Sequence, residues 1–144
     1  MGLDCYVVHS NDREKAFTHE DDDRIKDINL CGGMMSGDGT DGSFRGKVYE
    51  PLVEELMQHP GGIWHIEGED AHITSQELKE QADALGQLIT AKLEDAKWFE
   101  EVLKDDTIIY QSEHGHEYTF KEVCDLETLF RVASERGAVM TVWW

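Results

Sequence analysis

The sequence predicts an α+β fold, with a small, mainly antiparallel sheet packed against about three helices, one of them long. Two tetrapeptides with capping-box form, Thr74-Ser75-Gln76-Glu77 and Thr119-Phe120-Lys121-Glu122, each open an apolar run at helical spacing. Runs rich in β-formers stand at both ends of the chain, Leu3 to His9 and Ala138 to Trp144. With 144 residues, 40% of them hydrophobic, the chain fits a single domain over 1–144.

In chain order, Leu3 to His9 is the first strand. A polar run follows from Ser10 to Asp27, and its Glu20-Asp21-Asp22-Asp23 reads as a solvated patch. Cys31 to Lys47 then holds six of the 13 glycines, so residues 10–46 read as one long polar and Gly-rich loop. A helix starts near Lys47, with Tyr49, Leu52, Val53, Leu56 and Met57 on one face, and Pro60-Gly61-Gly62 ends it. Ile63 to Ile66 reads as a short strand. After Thr74, an apolar stripe runs through Leu78, Ala82, Leu85, Ile89, Leu93, Ala96, Phe99 and Leu103. Unbroken to Lys104, that helix is about 45 Å long. It either bends near Gly86 or offers one end to a partner. Thr107 to Ser112 and His116 to Tyr118 form a hairpin about Glu113-His114-Gly115. The helix opened by Thr119 carries Val123, Leu126, Leu129, Phe130 and Ala133, with Gly137 as its C-terminal stop. Ala138 to Trp144 is the last strand, expected to bury at least one of its two terminal tryptophans.

There are 31 acidic residues against 13 basic ones, a net charge of −18. Such a field repels nucleic-acid phosphates and anionic lipid, so neither is an expected partner. The N-terminus has no basic segment leading into an apolar one, and no window is apolar enough to span a bilayer. Gly2 alone does not make a myristoylation signal, because Tyr6 stands where Ser or Thr belongs. Cys5, Cys31 and Cys124 are odd in number and widely spaced, which suits free thiols in a reducing cytoplasm better than disulfides or a zinc ribbon. The 8 Lys residues speak against adaptation to high salt, leaving solubility or imitation of nucleic acid as sources of the acidity.

The leading ligand-binding candidates are Gly42, Ser43, Phe44, Arg45 and Lys47. Amides at a helix N-terminus favour an anion, Arg45 and Lys47 add charge, Ser43 adds a donor, and Phe44 can stack on a base. The segment is not a Walker A loop, since Gly-Lys-Ser/Thr is missing. Asp38 and Asp41 suggest calcium, but the twelfth position counted from Asp38 is Tyr49, where an EF-hand needs Glu. His65, Asp70 and His72 in one segment, and His114 and His116 in another, form the metal-ligating candidates. They lack a His-Glu-x-x-His frame. No Gly-x-Ser-x-Gly elbow occurs. Of the cysteines, Cys31 beside the glycines is best placed to react.

Met1-Gly2-Leu3-Asp4-Cys5-Tyr6 and Gly42-Ser43-Phe44-Arg45-Gly46-Lys47-Val48-Tyr49 together resemble small uncharacterised bacterial and bacteriophage proteins. Those open Met-Gly-Leu-Asp-x-Tyr and carry a later Phe-Arg-Gly-Lys-like segment. The resemblance covers about a tenth of the chain. It implies a prokaryotic or phage setting and directs attention to Phe44, Arg45 and Lys47, and it carries no activity over.

Together these features read as a cytoplasmic, non-catalytic binding protein without a cofactor, expected as a homodimer. It would capture a small anionic, nucleotide-like ligand at the Gly-rich loop. An alternative is an acidic inhibitor that occupies a basic protein partner's nucleic-acid-binding surface. Another is a metal-dependent enzyme built on the His/Asp cluster. A third is an assembly component that uses the long helix and Trp143-Trp144.

Overall fold

The computed structural model describes residues 4–31, 42–59, 61–65 and 72–143. Strand β1 (Asp4–His9) is the centre of the main sheet, and every pairing it makes is antiparallel. On one edge it takes β6 (Val139–Trp143) across Asp4 to Val8. The other edge is shared by two short strands. Its first half pairs with β3 (Ser43–Arg45), and its far end with β2 (Asp12–Ala16). Val7 sits at the handover, donating to Gly42 O at 3.0 Å and accepting from Phe17 N at 2.9 Å. A separate hairpin pairs β4 (Ile108–Gln111) with β5 (Glu117–Thr119).

The helices are α1 (Gly46–Met57), α2 (Ser75–Trp98) and α3 (Phe120–Glu135), so the fold is α+β with one long helix. Both capping boxes form. Thr74 accepts from Glu77 N at 3.1 Å and Thr119 from Glu122 N at 3.1 Å, while each glutamate reaches back to its threonine. Helix α3 lies antiparallel to α2: Arg131 bonds Asp83 at 2.6 Å, while Ser75 Oγ donates to Ala138 O just past α3. Between sheet and helices lies an aromatic cluster. Phe44 sits 5.6 Å from Trp64, 5.8 Å from Tyr49 and 6.0 Å from Phe130. All four are closed to solvent, with Leu52, Leu78, Leu85, Leu126 and Leu129 around them.

Four expectations need correction. The stretch 10–46 is not one loop, because β2 and β3 are cut from it. Strand β2 reads Asp-Arg-Glu-Lys-Ala and is exposed throughout, so it carries no hydrophobic alternation to reveal it. Its pairing comes from its tight turn onto β1. The run 18–31 is also ordered: Ile25, Ile28 and Leu30 are buried, Asp22 caps a 3₁₀ turn over Asp23–Ile25, and Asn29 N donates to Asp125. Residues 63–65 form a turn instead of a strand, because their amides are taken elsewhere. Ile63 N donates to Glu54, Trp64 N to Glu50, and His65 N to Gly62 O. Finally, α2 stops at Trp98, short of Lys104. Glu100 turns left-handed (φ 54°), and Glu100 N and Glu101 N close back on Lys97 O and Ala96 O, the two bonds of a Schellman motif. Phe99, at this turn, is 68% exposed. The helix itself runs without interruption through Gly86. The expectation for the terminal tryptophans falls outside the described residues, as Trp144 and the Trp143 side chain are not among them.

Candidate functional site

The head of α1 gathers most of the residues singled out in the sequence. Strand β3 delivers Ser43, Phe44 and Arg45 into the sheet, and the helix begins at once with Gly46. The incoming chain is clamped there: Arg45 N donates to Cys31 O at 2.7 Å, and Cys31 N donates to the Tyr49 hydroxyl at 2.9 Å. That hydroxyl donates in turn to Glu122 at 2.8 Å, and the same carboxylate closes the α3 capping box. Burial and the neighbouring Glu122 carboxylate push the Tyr49 phenol far above its ordinary range, so it stays protonated as a donor.

Arg45 is the N-cap residue of α1, and its own side chain makes no capping bond to the first turn. That turn holds no acidic residue. The first-turn amides and the helix dipole place partial positive charge there. Arg45 is half-buried, Lys47 is exposed, and among the described residues neither makes an ion pair. By contrast, Arg24, Arg131 and Arg136 all face carboxylates. Ser43 is half-buried opposite Tyr6 of β1.

Two of the expected ligand-binding residues have structural roles instead. Phe44 is 0% exposed, so its ring belongs to the core and does not stack on a ligand. The alternation of β3 turns Phe44 inward and Ser43 and Arg45 the other way. Gly42 has φ +85°, and a Cβ there would meet Phe17 O at 3.2 Å and Leu129 Cδ1 at 3.3 Å. Its glycine is needed for the handover on β1. Asp38, Asp41 and the glycines of 32–41 lie outside the described residues.

One turn into α1, Glu50 is buried, accepting from Trp64 N at 3.0 Å and bonding His65 Nε2 at 2.8 Å. Burial raises its carboxyl pKa, against the opposing pull of Trp64 N and His65. His65 is therefore tied to α1. His114 and His116 lie exposed in the β4–β5 turn, and Asp70 is outside the described residues. His72 precedes the isolated bridge between Ile73 and Met140. Among the described residues, no group of three or more His, Cys, Asp or Glu is placed to hold a metal ion. A cleft of about 470 Å³ lies between the end of α1 and the hairpin turn, lined by Pro51, Glu54, Glu55, His59, Glu113 and His114. Its carboxylates already hold structure: Glu55 accepts from the Tyr110 hydroxyl at 2.8 Å and Glu113 N at 3.0 Å, and Glu54 from Ile63 N.

The thiols offer no activated nucleophile in Cys5 or Cys124. Burial raises both, Cys5 strongly and Cys124 to about 11. Cys31 is exposed at the clamp. Among the described residues, no helix is long and apolar enough to cross a membrane.

The sequence left open a partner contact at one end of the long helix without naming residues there; at the C-terminal end Trp98 is 83% exposed and, just past it, Val102 is 80% exposed. The available signal was that neither falls on the apolar stripe of the helix.

Compared with known proteins, the chain matches no family model, no curated protein and no solved structure.

Proposed function

We propose that this is a non-catalytic binding protein that captures a small anion at the head of α1. The ligand class is a phosphate- or carboxylate-bearing molecule, including nucleotides, recognised through its charged group. The first-turn amides of α1 and the Ser43 hydroxyl supply donors, and Arg45 and Lys47 supply charge. One observation carries the reading. In a chain with 31 acidic residues, the half-buried Arg45 guanidinium makes no ion pair among the described residues, although Asp4 stands opposite it across the β1–β3 ladder. The clamp through Cys31 and Tyr49 supports it by fixing the backbone from which Arg45 and Lys47 project. With Phe44 committed to the core, base stacking contributes nothing, so affinity should follow the anionic group and tolerate changes of base.

The test is thermal denaturation in inorganic phosphate, pyrophosphate, ADP and ATP at millimolar concentration. A ligand at a hundred-fold excess over its Kd adds about 2.7 kcal/mol, or roughly 5–10 °C for a domain of this size. Arg45→Ala with Lys47→Ala should lose that rise while keeping the unliganded Tm within a few degrees. Equal shifts in wild type and variant, or none with any anion, would sink the reading.

A further inference from the structure

We propose that the outer face and C-terminal end of α2 form a docking surface for a basic amphipathic helix of another protein. The surface is separate from the head of α1. Its anchors are apolar side chains left in water: Trp98 and Phe99 at the helix end, and Val102 just past the turn. Such large side chains exposed together on a small domain mark an interaction site more often than an accident of folding. Trp98 is not a core residue that has slipped outward. Gln87, Ala91, Glu94 and Trp98 are spaced by four, three and four residues, which places them on one face. The buried Leu78, Ala82, Leu85 and Ala96 follow a different face, turned to the core.

That outer face has the relief a helix needs. An open groove of about 590 Å³ runs over Gly86, Gln87, Thr90, Ala91 and Glu94, with Asp83 and Arg131 at its margin. At Gly86 a Cβ would stand in ordinary contact with Arg131 Nη2 (3.7 Å) and Glu127 Oε1 (4.0 Å), so these α3 side chains border the groove there. One turn beyond Glu94 on the same face stands Trp98, 83% exposed. Small residues beside a projecting indole let a second helix approach closely and bury the ring, the usual character of an interface hot spot. The turn that presents Phe99 and Val102 is held by main-chain bonds, Glu101 N to Ala96 O at 2.7 Å and Phe99 N to Asp95 O at 3.0 Å. Little ordering entropy remains to be lost on binding there.

Charge decides the occupant. From Glu94 to Asp106 the sequence places Glu94, Asp95, Glu100, Glu101, Asp105 and Asp106 against Lys97 and Lys104. At the groove margin, Arg131 is already held by Asp83 and Glu127. An apolar patch rimmed by carboxylates suits apolar residues flanked by Lys and Arg. A second copy of this chain would bring the same carboxylates against themselves, with −18 on each partner. An anionic bilayer is repelled for the same reason.

The experiment uses the full chain and a synthetic helix-forming peptide of Leu and Lys, with its leucines at i, i+3, i+4 and i+7. A scrambled peptide of equal composition is the control. Titration calorimetry at 0.15 M NaCl should show at least ten-fold tighter binding of the amphipathic peptide. Trp98→Ala should weaken it at least ten-fold. Glu94→Gln with Glu101→Gln should weaken it and flatten its salt dependence. All three positions are exposed, and circular dichroism melts would show that the variants fold. Arg45→Ala with Lys47→Ala should leave peptide binding unchanged, which separates this surface from the anion site. Equal binding of the scrambled peptide, or indifference to Trp98→Ala, would overturn the proposal. So would concentration-dependent self-association in sedimentation that Trp98→Ala abolishes, or recruitment to anionic vesicles.

Discussion

At the scale of single residues, the Tyr49 hydroxyl has the widest reach. It accepts from Cys31 N and donates to Glu122, so it joins α1, the N-terminus of α3 and the segment leading to the head of α1. Tyr49→Phe leaves both partners short of a bond in a half-buried place and should destabilise the fold by about 1–3 kcal/mol in urea titration. A change under about 0.5 kcal/mol would mean that water replaces the hydroxyl. Glu100 is the opposite case, a non-glycine residue at φ +54° in a Schellman position that glycine usually fills. The left-handed conformation costs roughly 1–2 kcal/mol in a residue with a Cβ, and glycine returns part of that gain through its freer unfolded state. Glu100→Gly should therefore raise stability by about 0.5–1 kcal/mol. A loss instead would show that the Glu100 side chain makes a contribution larger than its backbone strain.

At the scale of elements, what was legible in the sequence followed from how locally each feature is encoded. The Thr74 and Thr119 capping boxes were legible because every atom they need lies within four residues. Thr119→Ala should cost about 1 kcal/mol or more, since it also frees the Glu122 carboxylate that steadies Tyr49; Thr74→Ala should cost about 1 kcal/mol at most. Equal losses would mean that the α3 cap and the Tyr49 bond are not coupled. Strand β2 was illegible because its exposed polar residues carry no period, and only β1 gives it a partner. The strand expected at 63–66 failed because Glu50 and Glu54, nine or more residues away, take the amides of Ile63 and Trp64. The end of α2 was placed too late because Phe99 and Leu103 extend the apolar period past a backbone turn that sequence spacing does not register. The candidate site divides in the same way. Arg45 and Lys47 could be located beside a helix start, whereas the inward turn of Phe44 depends on the pairing of β3 with Asp4, Cys5 and Tyr6.

At the scale of the whole molecule, the net charge of −18 sets how stability varies with pH. Like charges on one compact body repel, and unfolding relieves the repulsion. Protonation relieves it too, so stability should rise as pH falls from 8 toward the sequence pI of about 4.5. Glu50 acts in the same direction. Its folded pKa is raised, so the folded state binds its proton more readily than the unfolded chain, and the stability it contributes at low pH is lost as pH rises through that value. Asp22 acts in the opposite direction. The Arg24 guanidinium beside it holds its carboxyl down to about 2, so its contribution is present above the ordinary carboxylate range and is lost as pH falls below roughly 4. Asp21, lowered chiefly by the Thr18 amide, follows Asp22. These slopes meet in a Tm maximum near pH 5, measured at low ionic strength and low protein concentration so that association near the pI does not intrude. Raising NaCl to 0.5 M should lift Tm more at pH 8 than at pH 5, because it screens repulsion that acid has already removed. Glu50→Gln keeps an acceptor for Trp64 N while removing the buried charge, so it should remove the part of the pH dependence that comes from that carboxyl. If wild-type Tm is level or falls over that range, the acidity is distributed so that folding brings the carboxylates no closer than the unfolded chain does.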